Sequence, residues 1–184
     1  MKARLICHGN QQSVWNAESS ARTDSPRVKR KSIKILIAMA SQHSQNVTAA
    51  FLQAKDLGRE VYVQPPKELH KDGRIWKLIK PMYGLDEASF LWYETLKEYL
   101  LELGCEQLMN DPAVFYLRTD KLQGMLTTHV DDLFSTGSNI FEETVRLPML
   151  RKFKFGAANT KNELKVLGLN ISHKGKDIFI NQND

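Results

Sequence analysis

Two adjacent carboxylates, Asp131 and Asp132, stand between strand-forming runs. Met125-Leu126-Thr127-Thr128-His129-Val130 leads into them and Leu133-Phe134-Ser135 leads out. Side chains alternate along a strand, so two neighbouring acids in mid-strand would point to opposite faces. One of them would be buried without a partner. The pair therefore belongs at the tip of a tight hairpin, where both carboxylates reach a solvent-filled cleft. Two close negative charges in such a cleft attract a divalent cation. The same residues also suit a plain surface turn, where aspartate is common, and the pair alone does not decide between the two.

The chain around the pair has 184 residues, enough for one domain or for two small lobes sharing a core. A hydrophobic content of 42% excludes a chain disordered throughout. The net charge of +5 suggests an anionic partner. Cys7 and Cys105 are isolated, which argues against a zinc site and fits a reducing, intracellular setting. No apolar run is long enough to span a membrane, and the N-terminus lacks the apolar core of a signal peptide.

Several elements must position the acids. Ala3–Cys7 reads as a short strand ending in a Gly9-Asn10 turn, and with no pairing strand before it the chain is expected to begin partway through a domain. Ser25 is a good N-cap and Pro26 suits a first helical position, so a helix is expected from Pro26 to about Ala40. Its first turns carry Arg27, Lys29, Arg30, Lys31 and Lys34. Cations there oppose the helix dipole, as a solvated face or a neighbouring phosphate backbone would explain. Ser41–Gln45 reads as a short polar connection before Asn46–Leu52. Glu60–Gln64 and Ile75–Ile79 read as strands, and a long amphipathic helix spans roughly Glu87–Leu103, stopped by Gly104. Ala113–Leu117 and Gly124–His129 form a strand pair that delivers the chain to the acids. A helix follows over Asn139–Met149, capped by Asn139. Then come a basic alternating stretch, Arg151–Phe155, and a hairpin of Leu164–Ile171 with Asp177–Ile180. Helices intermixed with hairpins predict an α+β fold with a largely antiparallel sheet.

This order of segments resembles the reverse transcriptase domain of copia-type LTR retrotransposons. The matching blocks are Lys2-Ala3-Arg4-Leu5 with Gly9-Asn10-Gln11-Gln12; Ser25-Pro26 and the basic helix; Val47–Leu52 followed by Glu60-Val61-Tyr62-Val63 and Pro65-Pro66; Tyr83-Gly84-Leu85 followed by Trp92-Tyr93; Asp111-Pro112 with Phe115; Val130-Asp131-Asp132; and Leu167–Ile171. The resemblance implies a right-hand polymerase palm with partial fingers, an antiparallel sheet backed by helices. It divides the single domain into fingers at about 1–45 and 53–82, palm at about 46–52 and 83–160, and a primer-grip-like hairpin at about 161–184. It implies attack of a primer 3′ hydroxyl on the α-phosphorus of a deoxynucleoside triphosphate, directed by an RNA or DNA template and served by two Mg²⁺ ions.

The resemblance also assigns residues. Asp131 and Asp132 match the paired metal-binding aspartates. Phe51 matches the aromatic beneath the sugar, and Arg4 and Lys2 match the segment that contacts the triphosphate. Tyr83 and Gly84 match the loop that supports template and nucleotide, while Arg27, Lys29, Arg30 and Lys31 would lie along template or primer. Asn46 occupies the position of the family's third metal-binding aspartate. A neutral amide there implies weakened Mg²⁺ binding and a rate loss on the order of a thousandfold. His129 replaces a tyrosine, Asp86-Glu87 replaces Lys-Gln, and Phe90 falls where a basic residue is usual. The first fingers strands, a clear thumb and an RNase H region have no counterpart in the sequence. The chain is thus expected to be a fragment or degenerate copy, an impaired polymerase domain or a residual nucleic-acid-binding module. It could be a segment of a larger polyprotein working in a cytoplasmic particle or the nucleus.

Overall fold

The computed structural model describes residues 6, 24–29, 32, 43–66, 68–69, 73–156, 163–166, 169–174 and 177–182. Its strands are β1 (His43–Asn46), β2 (Val61–Val63), β3 (Trp76–Leu78), β4 (Glu106–Gln107), β5 (Val114–Arg118), β6 (Leu122–His129), β7 (Asp132–Gly137), β8 (Glu163–Val166), β9 (Leu169–Lys174) and β10 (Asp177–Gln182). The helices are α1 (Ala88–Glu102), α2 (Asn139–Phe141) and α3 (Leu147–Lys152), with a π-helical segment, Glu142–Arg146, joining α2 to α3. Every pairing among the described strands is antiparallel, so the fold is α+β as expected. The chain folds into two compact units, Met1–Ser25 with Ala49–Glu98, and Pro26–Thr48 with Tyr99–Asp184.

The second unit is built on a five-stranded sheet in the order β1-β7-β6-β5-β4. The register places Phe115, Leu117, Gly124, Leu126, Leu133 and Gly137 on one face. Gly124 and Gly137 are partners in the ladder, and the Phe141 ring lies directly on both. Phe141, Val145, Met149 and Phe153 recur every four residues and are all buried, which is the apolar stripe of a helix facing a sheet. Each such side chain taken fully from water contributes roughly 1.5–3 kcal/mol. Tyr99, in the last turn of α1, meets Phe153 edge-to-face with ring centroids 5.6 Å apart. A second sheet in this unit has the order β10-β9-β8.

The first unit holds the two-stranded β2–β3 ladder and most of α1. Helical spacing buries Ala88, Trp92 and Leu96. Gly104 follows the helix at φ 84°, the left-handed conformation that ends helices and favours glycine.

Several local expectations are corrected. Pro26–Lys29 is not helical, and within the expected helix Ser32 is the described residue in helical conformation. His43–Gln45, read as a polar connection, is strand, because β7 pairs with it. The cap of α2 is Ser138, whose hydroxyl accepts from the Phe141 N–H, and the helical stretch runs on to Lys152 instead of ending at Met149. The Arg151–Phe155 stretch therefore starts as helix. The Leu164–Ile171 strand is two antiparallel strands, β8 and β9, so the terminal hairpin is a three-stranded sheet. The Ala3–Cys7 strand lies outside the described residues save Ile6.

Candidate active site

β6 and β7 form a hairpin with a two-residue loop, Val130-Asp131, closed by the His129–Asp132 pair. Asp131 is in the loop and Asp132 opens β7; both are half-buried. Val130 has φ 59°, a left-handed conformation that a β-branched residue adopts only under constraint. The base of the hairpin is held through the Ala113 carbonyl, which accepts from the Thr128 N–H and from Thr127 Oγ1, both at 3.0 Å.

β1 runs along the open edge of β7, with Asn46 opposite Asp132. The backbone is fixed on both sides here. The Val47 N–H donates to the Asp131 carbonyl at 2.8 Å. From the other side the Gly156 N–H donates to the Asn46 carbonyl, and the Thr48 N–H donates to the Lys154 carbonyl, each at 2.9 Å. Between these fixed points the Asn46 amide donates from Nδ2 to Asp132 Oδ1 at 3.0 Å. Three residues singled out by sequence, Asn46, Asp131 and Asp132, thus meet at one tip although 85 positions separate Asn46 from Asp131. On the other side of Asp132 stands its ladder partner His129, whose Nδ1 is buried without a hydrogen-bond partner.

The donor set consists of two carboxylates and an amide that turns an N–H toward one of them. Divalent magnesium takes oxygen ligands, and a pair of ions needs donors on each. No three His, Cys, Asp or Glu residues group as metal ligands among the described residues. These residues do not fit the two-ion set that the resemblance implies, because the third carboxylate is an amide already committed to Asp132.

The first unit has its own cluster of expected residues. Phe51 sits on a 3₁₀ turn, Ala50–Gln53, preceded by Ala49 at φ 50°. Its ring meets Tyr83 with centroids 4.4 Å apart and planes tilted by 48°. Gly84, beside Tyr83, has φ 94°. Phe51, Tyr83 and Gly84 are therefore one local group. Glu87, which stands where the resemblance expects a glutamine, is buried and bound by Arg59: Nε donates to Oε1 at 2.8 Å and Nη2 lies 2.6 Å from it. Its charge is neutralised within this unit.

The basic residues divide. Arg27 is exposed. Lys29 is exposed as well, and its ammonium donates to the Asn110 carbonyl at 2.5 Å. Lys2, Arg4, Arg30 and Lys31 lie outside the described residues. Sequence reasoning missed Asp111 as a structural acceptor. It also missed the exposed trio Glu60, Tyr62 and Lys77, in which Lys77 and Tyr62 both donate to Glu60. The Lys77 hydrogen bond, then that from Tyr62, holds the Glu60 carboxyl below its usual range. The alternation Glu60–Tyr62 across from Lys77 was the available signal.

The sequence matches the family model described as "Reverse transcriptase (RNA-dependent DNA polymerase)" over residues 1–184. It is 36% identical over 146 residues to the Retrovirus-related Pol polyprotein from transposon RE1 of Arabidopsis thaliana, covering 75% of this chain and 10% of that protein. It is 26% identical over 183 residues to the Transposon Ty1-MR1 Gag-Pol polyprotein of Saccharomyces cerevisiae, covering 94% of this chain and 10% of that protein. The chain thus spans about a tenth of the length of these relatives. A structure of apo telomerase from Candida tropicalis matches 84% of this chain and 40% of its own at a TM-score of 0.45 and 10% identity, too loose a likeness to argue from.

Proposed function

The chain belongs to the reverse transcriptase (RNA-dependent DNA polymerase) family, of the copia type, and we propose that it is a polymerase domain in which nucleotidyl transfer is impaired at position 46. In this reading the β1-β7-β6-β5-β4 sheet is the palm and β2–β3 belongs to the fingers. Asp131 and Asp132 are the remaining catalytic carboxylates. Phe51 on Tyr83 would form the floor for an incoming deoxynucleoside triphosphate, and Arg27 would approach template or primer phosphates. The domain would act as one segment of a larger polyprotein.

One observation carries the reading: Asn46 is the cross-strand partner of Asp132 and donates to it at 3.0 Å. A position that supplies an anionic oxygen in a working site here supplies a hydrogen-bond donor. The deciding experiment is primer extension by the purified chain on RNA and DNA templates, with Mg²⁺ and then Mn²⁺, beside Asn46→Asp. Weak or absent extension by the natural chain and recovery by Asn46→Asp are expected, with a ratio on the order of a thousandfold. Equal, robust extension by both would overturn the assignment of position 46.

A second reading, a nucleic-acid-binding domain without chemistry, draws on the exposed Arg27 and the net charge of +5. It expects affinity for a primer–template duplex that falls steeply with salt in both forms, with no extension by either. An affinity that salt leaves unchanged would remove it.

A further inference from the structure

We infer that the Asn46 amide takes the place of a cation beside Asp132, so that the acid hairpin of this chain keeps its shape without any divalent ion. The inference rests on the placement of position 46 used above, but concerns cation binding and stability instead of turnover.

The backbone leaves position 46 little freedom. It is tied to the hairpin through Val47 and Asp131, and to the 154–156 segment through Thr48 and Gly156. The side chain at 46 stands opposite Asp132 and within hydrogen-bond reach of it. A carboxylate there would add a third negative charge to those of Asp131 and Asp132, at hydrogen-bond distance from one of them. Like charges this close cannot all remain ionised without a counter-ion. The amide removes that charge and turns its N–H, the positive end of a dipole, toward Asp132 Oδ1. An ion seeking that oxygen must first displace the N–H. The amide therefore does two things at once: it relieves the repulsion a cation would otherwise relieve, and it competes with the cation for the same lone pair.

The test is thermal unfolding of the 184-residue chain and two variants, in EDTA and in millimolar Mg²⁺, Ca²⁺ or Mn²⁺. The natural chain should melt at the same temperature with and without the ion. Asn46→Asp should melt several degrees lower in EDTA and recover when the ion is added. Asn46→Ala, which removes the N–H without adding charge, should melt lower in EDTA and recover less than Asn46→Asp when the ion is added. A direct Mn²⁺ titration should show Asn46→Asp binding about tenfold or more tightly than the natural chain. The inference falls if the ion stabilises the natural chain as much as Asn46→Asp, or if Asn46→Ala equals the natural chain in EDTA. Cation-dependent melting of Asn46→Asp without extension would support this inference while overturning the polymerase reading, so the two fail separately.

Discussion

Asp111 Oδ2 accepts a hydrogen bond from the Lys29 backbone N–H at 2.8 Å, across 82 positions of chain. The same oxygen accepts from Ser32 Oγ, and Asp111 is almost fully buried. One carboxylate thus ties both Lys29 and Ser32 to the segment just before β5. Replacing Asp111 with alanine leaves a part-buried backbone N–H and a buried hydroxyl without their acceptor. The expected loss is about 3 kcal/mol in urea unfolding. Asp111→Asn keeps an acceptor oxygen and should lose only about 1 kcal/mol. Equal losses in the two variants would mean that the side chain matters for its volume alone.

Val130 holds the first loop position of the acid hairpin at φ 59°. A two-residue hairpin loop with positive φ at its first position alone follows the type II′ pattern, which prefers glycine there. A β-branched residue in that conformation costs on the order of 1–3 kcal/mol, and glycine returns part of the gain as lost chain entropy. Val130→Gly should therefore raise stability by about 1 kcal/mol, read as a higher urea midpoint at unchanged slope. Val130→Ile should not raise it. A lower midpoint for the glycine variant would show that packing of the valine side chain outweighs its backbone strain.

The β6–β7 hairpin was legible because the acids interrupt an alternating, β-branched run, and only a reversal lets both reach solvent. α1 was legible from Leu96 and Leu100 at helical spacing and from Gly104 as a stop. His43–Gln45 was not: its residues are polar, and it is strand only because β7 lies beside it. The same holds for the start of the basic stretch. Ser25 and Pro26 are good local signals for a helix, but the acceptor that orders Lys29 and Ser32 is Asp111, far along the sequence. For the site, residue types singled out the acid pair and the family resemblance singled out Asn46, whereas the partners of Lys29 and Glu87 came from tertiary contacts that spacing does not encode.

The paired glycines of β6 and β7 make a tighter demand. A Cβ placed on Gly124 would lie 2.6 Å from Phe141 Cδ2, and one on Gly137 would lie 2.6 Å from Phe141 Cβ and Cδ1. Phe141 is itself buried, so it has nowhere to retreat. Gly137→Ala should cost about 2–3 kcal/mol through overpacking. Trimming Phe141 to alanine removes the ring part of the clash and leaves the Cβ contact, so Phe141→Ala combined with Gly137→Ala should cost less than the sum of the single changes. A double-mutant cycle by urea unfolding reads this directly, and simple additivity would mean that the ring does not rest on the glycines.

Cys105 sits just past α1, buried, with its N–H donating to the Leu100 carbonyl at 3.0 Å. Burial disfavours the thiolate and pushes the thiol up to about 12, from an ordinary value of 9.0. The unfolded chain therefore gives up this proton before the folded chain does. The stabilising difference is intact below about pH 9 and is lost progressively as pH rises toward about 12. Cys105→Ala should flatten the alkaline fall in stability across that window, after allowance for the small cavity it leaves at neutral pH. The thiolate is the reactive species, so an alkylating reagent should label Cys105, in a Cys7→Ser background, only as fast as the protein opens. Urea unfolding across the alkaline range and labelling at neutral pH give independent readings. Rapid labelling of the folded chain, or an alkaline slope unchanged by Cys105→Ala, would place the thiol in contact with solvent.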